Sequence, residues 1–113
     1  MILFLSNCKN MNRIEKLKEY LVNSPEDSFL KHALALEYIK LDNDLDARDL
    51  LEDILDKDPN YIGSYYHLGK LLERMNDNDM ALQWYARGLT ASKAAGDTHS
   101  YNELQAAYED LVD

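Results

Sequence analysis

The chain carries three histidines, one cysteine and 21 acidic side chains, the residue types from which metal centres and acid–base catalysts are assembled. Their spacing supports neither. There is no His-x-x-x-His pair and no second cysteine to join Cys8. Asp42-x-Asp44-x-Asp46 opens like a calcium loop, but Ala47 stands at the sixth position, where the sharp turn requires glycine, and Asp53 at the twelfth. Those carboxylates fit better as a helix turn followed by acidic residues near a helix N-terminus, where the peptide dipoles favour them. The serines fall at turns or near helix starts and the four glycines are scattered, so neither a nucleophile elbow nor a phosphate cradle is present. The expectation is a protein that is not an enzyme and takes no cofactor or metal.

Such residues must therefore be placed by something other than a catalytic loop. Helical periodicity runs nearly unbroken, and no stretch has the alternation and β-branched enrichment of a strand. Short polar breaks at 23–27, 42–44, 57–60, 76–78 and 96–100 delimit six helices at 12–23, 28–41, 45–57, 61–75, 79–94 and 99–112. Each has an apolar stripe at three- and four-residue spacing, such as Ile14, Leu17 and Leu21 in the first and Tyr101, Leu104, Tyr108 and Leu111 in the last. Every helix needs a neighbour to bury that stripe, which makes the fold class all-α. Before the last helix, Ser100 with Glu103 forms a capping-box pattern, and Asp97 or Thr98 could equally supply the cap.

A chain of 113 residues suffices for one domain that buries roughly two-thirds of its unfolded surface. The net charge of −9 opposes a nucleic-acid backbone or an anionic membrane as partner, since both would be repelled at long range. A lone cysteine gives no sign of an oxidising compartment, and the opening apolar run through Cys8 lacks a basic start and the length of an export signal, so a cytoplasmic location is expected. Amphipathic periodicity begins at Met11. Residues 1–10 are accordingly expected to be a flexible N-terminal extension, with a single domain over 11–113.

Pro25 and Pro59 lie 34 residues apart, and sliding the chain by that period aligns much more. A first copy at 28–61 places Leu34, Ala35 and Tyr38 on one helix, Ala47, Leu51, Ile54 and Leu55 on the next, then Pro59. A second at 62–95 places Tyr65, Leu68, Gly69 and Leu72, then Ala81, Tyr85, Gly88 and Leu89. The pattern resembles that of the tetratricopeptide repeat, aromatic-x-x-Leu-Gly-x-x-Tyr, then Ala-x-x-x-Phe, then Pro. Small residues in it let two helices approach while large ones fill the spaces between. Departures are Lys31 where an aromatic is preferred, Ile54 where a small residue is, and Lys93 in place of a second proline, so that the fifth helix should run on to Gly96. Trp84, between Leu82 and Tyr85, reads as packing between repeats.

The resemblance implies a right-handed α-solenoid of antiparallel helix pairs, with 12–23 as a half-repeat and 99–112 as a cap whose Asn102, Glu103, Glu109 and Asp110 face water. It also implies a concave groove lined by the first helix of each repeat. The inward positions are Phe29, His32, Leu36, Ile39 and Lys40, then Tyr66, His67, Lys70, Glu73 and Arg74. One end of that groove is aromatic and apolar and the other mildly basic, which would suit a helix or an acidic-apolar peptide of another protein. Some family members grip terminal carboxylates with paired Lys and Asn, but His32 and Leu36 stand at the first such pair, so that activity is not carried over. His32, His67 and Glu73 could meet a metal but are better read as polar groove contacts. The function expected is an adaptor or scaffold. The alternative is a self-associating homodimer through apolar edges of the terminal helices.

Overall fold

A stripe repeating every 3.6 residues is buried most economically by a helix laid antiparallel to its neighbour, and the whole chain is built this way. The computed structural model describes the backbone of residues 2–112 and the side chains of 12–112, with six helices and no strand over that span. They are α1 (Ile2–Asn23), α2 (Ser28–Lys40), α3 (Asp44–Lys57), α4 (Gly63–Arg74), α5 (Asn78–Ala95) and α6 (Thr98–Val112). From α2 onward the bounds fall within two residues of those read from periodicity. Helix α1 begins at Ile2 rather than at residue 12. The side chains of residues 1–11, on which the expected flexible extension over 1–10 falls, lie outside the described ones. No described helix is long and apolar enough to cross a membrane.

Each helix packs on the next, and α4 also reaches α6. Local chemistry sets the corners. Asp27 caps α2 by accepting the Leu30 N–H at 3.0 Å, and Asp77 caps α5 by accepting that of Met80 at 3.3 Å. At α6 it is Asp97 that caps, accepting the Ser100 N–H at 3.1 Å and its hydroxyl at 2.8 Å, so the Ser100–Glu103 box is not the device used. Asp42 and Asn76, one period apart, both take left-handed φ values of 59° and 64°. Short polar side chains tolerate that conformation, and it turns the first helix of each repeat into the second. Gly96 (φ 70°) ends α5, with Asp97 N–H donating to Ser92 O at 2.9 Å, where the missing proline at Lys93 implied a longer helix.

The core follows the small-with-large rule. Ala35, Ala47 and Ala81 have no exposed surface, and Leu51, Ile54, Leu68, Leu72 and Tyr85 close around them. A second cluster of Ile14, Leu17 and Leu34 holds α1 against α2. Trp84 is 6% exposed, with its ring 6.2 Å from that of Tyr65.

Lys31, at the family's aromatic position, keeps only 7% of its side chain exposed. Its ammonium donates to Asp53 at 2.7 Å and Glu26 at 3.1 Å, and Lys57 joins the same two carboxylates at 3.0 and 2.9 Å. An ion network thus fastens α2, α3 and the turn before α2 where a ring would have packed. Hydrogen bonds from Lys31 and Lys57 hold the Asp53 carboxyl below its usual range, and those from Lys57 and Lys31 do the same for Glu26. A depressed carboxylate stabilises the fold above its unfolded pKa, near 4, and that contribution is lost as pH falls through the lower folded value. Lys31→Leu should leave stability at pH 7 within about 1 kcal/mol, because the apolar stem is kept and the ion pairs are partly exposed. The same variant should show a shallower loss below pH 4 in urea titrations. An unchanged acid slope would mean that Lys57 alone sustains the network.

Candidate protein-binding groove

The first helices of the two repeats, α2 and α4, are brought side by side by their shared packing on α3. His32 and His67 meet edge-on with ring centroids 5.3 Å apart, and Tyr61 lies 5.6 Å from His32. His32 Nδ1 is 2.8 Å from the hydroxyl of fully buried Ser64, a bond across the two helices. Burial, and secondarily His67, lowers the His32 pKa to about 4, and burial lowers that of His67. Both imidazoles are therefore neutral at pH 7 and offer hydrogen bonds rather than charge. Glu73, weighed beside them in the sequence, is engaged elsewhere: it accepts the Tyr85 hydroxyl and lies 3.8 Å from Lys70.

Tyr66 stacks edge-on with His67 at 5.9 Å, and the Lys70 ammonium sits 5.8 Å from the Tyr66 centroid. Tyr66, His67 and Lys70 thus form one continuous strip along α4. Phe29, in the first turn of α2, is 68% exposed and available to a partner. Leu36 and Ile39 are half-buried, Ile39 packing on the core. A hollow of about 110 Å³ opens between Ile39, His67, Lys70, Leu71 and Arg74.

The basic end of the groove carries its own counter-charges. Lys40 donates to buried Glu37 at 3.1 Å, and Arg13 of α1 donates to the same carboxylate at 3.1 Å. Arg74 is bonded to Asp44, lies 3.8 Å from Asp42 and donates to Ile39 O at 3.3 Å, so it ties α4 to the α2–α3 corner. The positive field that a partner would meet is reduced by these pairings.

Sequence reasoning passed over the contribution of α1. Asn12, Arg13, Lys16, Leu17 and Tyr20 line a hollow of about 420 Å³ with Glu37 and Lys40 of α2. Residues 13, 16 and 20 share one helix face by their spacing of three and four, which is the signal that could have found them. Lys16 supplies a cation there with no ion-pair partner among the described residues.

Comparison with known proteins supports the architecture. A family model described as a tetratricopeptide repeat matches residues 50–83. No curated protein matches the chain. Among solved structures, a tetratricopeptide repeat domain protein from Salinibacter ruber is 42% identical, with a TM-score of 0.74, over 77% of this chain and 88% of that one. A Bordetella parapertussis protein is 29% identical, with a TM-score of 0.76, over 88% of this chain and 86% of that one. The TPR2B domain of yeast Sti1, in its complex with pHsp70, shares the fold at 18% identity and a TM-score of 0.84, over 96% and 87%.

Proposed function

The chain belongs to the tetratricopeptide-repeat family, and from that premise we propose that it is a non-catalytic adaptor holding a segment of another protein in the groove of α2 and α4. The observation that carries this reading is the strip of His32, His67 and Tyr66, with exposed Phe29 on the same helix as His32. Neutral imidazoles and half-buried rings give a surface that can desolvate at low cost, and aromatic side chains carry much of the energy of protein interfaces. The yeast Sti1 domain, held with pHsp70, is an instance of this fold in a complex with another protein, which supports the reading at the level of fold.

Substituting Tyr66→Ala together with Lys70→Ala tests the site at the rim of the core, since Tyr66 is half-buried and Lys70 is exposed. Arg74 is left intact because its loss would loosen the corner at Asp44. In affinity capture from lysate of the source cell, the protein held by the native chain should be reduced tenfold or more on the double variant, at matched helicity by circular dichroism. Equal capture would place the interaction elsewhere.

A second reading, a homodimer through the terminal helices, is favoured by the exposure of Tyr20 and Val22 on α1 and Val112 on α6. Sedimentation showing monomers throughout the micromolar range would dismiss it.

A further inference from the structure

On the side formed by α3 and α5, away from the groove, Leu55, Pro59, Tyr65, Trp84, Arg87 and Ala91 line an open cleft of about 480 Å³. That volume is within the range of small-ligand sites, which are apolar clefts with a few directed polar groups. Three observations set its chemistry. The walls are aromatic and aliphatic, with Tyr65 held in place by its hydroxyl donating to Pro59 O at 2.6 Å. The Arg87 guanidinium lies 4.7 Å from the Trp84 centroid and has no ion-pair partner among the described residues, in a chain of net charge −9 where carboxylates are abundant. Trp84, 94% buried in a wall of the cleft, has its indole N–H shut off from solvent, so the Arg87 guanidinium is the donor that a ligand meets.

We propose that this cleft binds a carboxylate carried on an apolar body, with Arg87 pairing to the carboxylate and Leu55, Tyr65, Trp84 and Ala91 covering the apolar part. An unpaired guanidinium over an indole is a donor surface facing an apolar wall, and a carboxylate joined to an alkyl or side-chain body matches both halves. A neutral apolar ligand would leave the guanidinium unpaired, and a cation would be repelled by it. Asp56 is the one carboxylate on the lining and opposes an anion. The bound carboxylate is accordingly held toward Arg87, and removal of the Asp56 charge should tighten binding.

Trp84 is the sole tryptophan, so its emission in the full-length chain reports the site directly. Two sources of the same chemistry are compared by titration: octanoate against octanol, and the peptide Ala-Leu-Leu with a free C-terminus against its C-terminal amide. A saturable change in emission is expected with one or both carboxylates, at least tenfold tighter than with the matching neutral compound, and the arm that responds identifies the source. Arg87→Gln should weaken binding tenfold or more, Asp56→Asn should strengthen it severalfold, and both residues are exposed enough for the fold to be kept, as circular dichroism would verify. The groove variant Tyr66→Ala, Lys70→Ala should bind the probes as the native chain does, which separates this site from the adaptor site. Neutral compounds binding as well as the acids, no saturation with either acid, or unchanged affinity in Arg87→Gln would each overturn the proposal.

Discussion

Replacing Gly69 with alanine should destabilise the fold by about 3 kcal/mol or more, a loss of about 10 °C or more in Tm for a domain of this size. The added Cβ would lie 2.0 Å from Tyr85 Cε1 and 2.5 Å from Cδ1. The Tyr85 ring has no exposed surface and its hydroxyl is fixed by donation to Glu73, so it cannot swing aside. Burial, followed by the Glu73 bond, pushes its phenol pKa up, which keeps it a donor at any working pH. Thermal melts of Gly69→Ala, and of Gly69→Ala with Tyr85→Leu, check the cause. The second change should recover part of the loss by removing the ring, and a single variant as stable as the native chain would show that α4 and α5 can separate at little cost.

Leu104→Ala should cost about 2–5 kcal/mol, a large share of the 5–15 kcal/mol by which domains are usually stable. Leu104 is 1% exposed, and one of its methyl carbons would lie 2.9 Å from a Cβ placed on Gly88, so it fills the space that the glycine of α5 leaves open. Helix α6 is bound through that side chain and Ala107, whereas Val112 at its end is exposed. Urea titration should therefore separate Leu104→Ala from Val112→Ala, the latter expected within about 0.5 kcal/mol of native. Proteolysis of the Leu104 variant should begin in α6. Equal midpoints for the two variants would reduce α6 to a loosely associated cover.

The candidate groove was partly legible. His32, Tyr66 and His67 were assigned to one surface by their positions in a repeat, and their rings are in contact. The partners of the charged residues were not legible. Arg74, an inward position at the mildly basic end of the groove, is bonded to Asp44 and to Ile39 O, 30 and 35 residues away in sequence. His32 is bonded to Ser64, a serine that its sequence context placed merely near a helix start. The α1 residues Arg13, Lys16 and Tyr20 were missed because α1 was weighed as a half-repeat rather than as a wall.

From sequence alone came the six helices, their corners, the 34-residue period and the positions that must be small. The helices and corners depend on chemistry within a few residues, such as a side-chain oxygen reaching an N–H three residues on, a 3.6-residue stripe or a glycine at positive φ, while the period and the small positions are legible because they recur. Tertiary structure alone decided that Lys31 replaces a packed ring with two partly exposed ion pairs, that Lys40, Lys70 and Arg74 arrive already matched, and that Trp84 and Arg87 line a cleft with Tyr65 and Leu55. Those outcomes depend on the offset at which each helix stacks on its neighbours. A shift of a single helical turn, about 5.4 Å, would exchange every such partner while leaving the helical periodicity of the sequence unchanged.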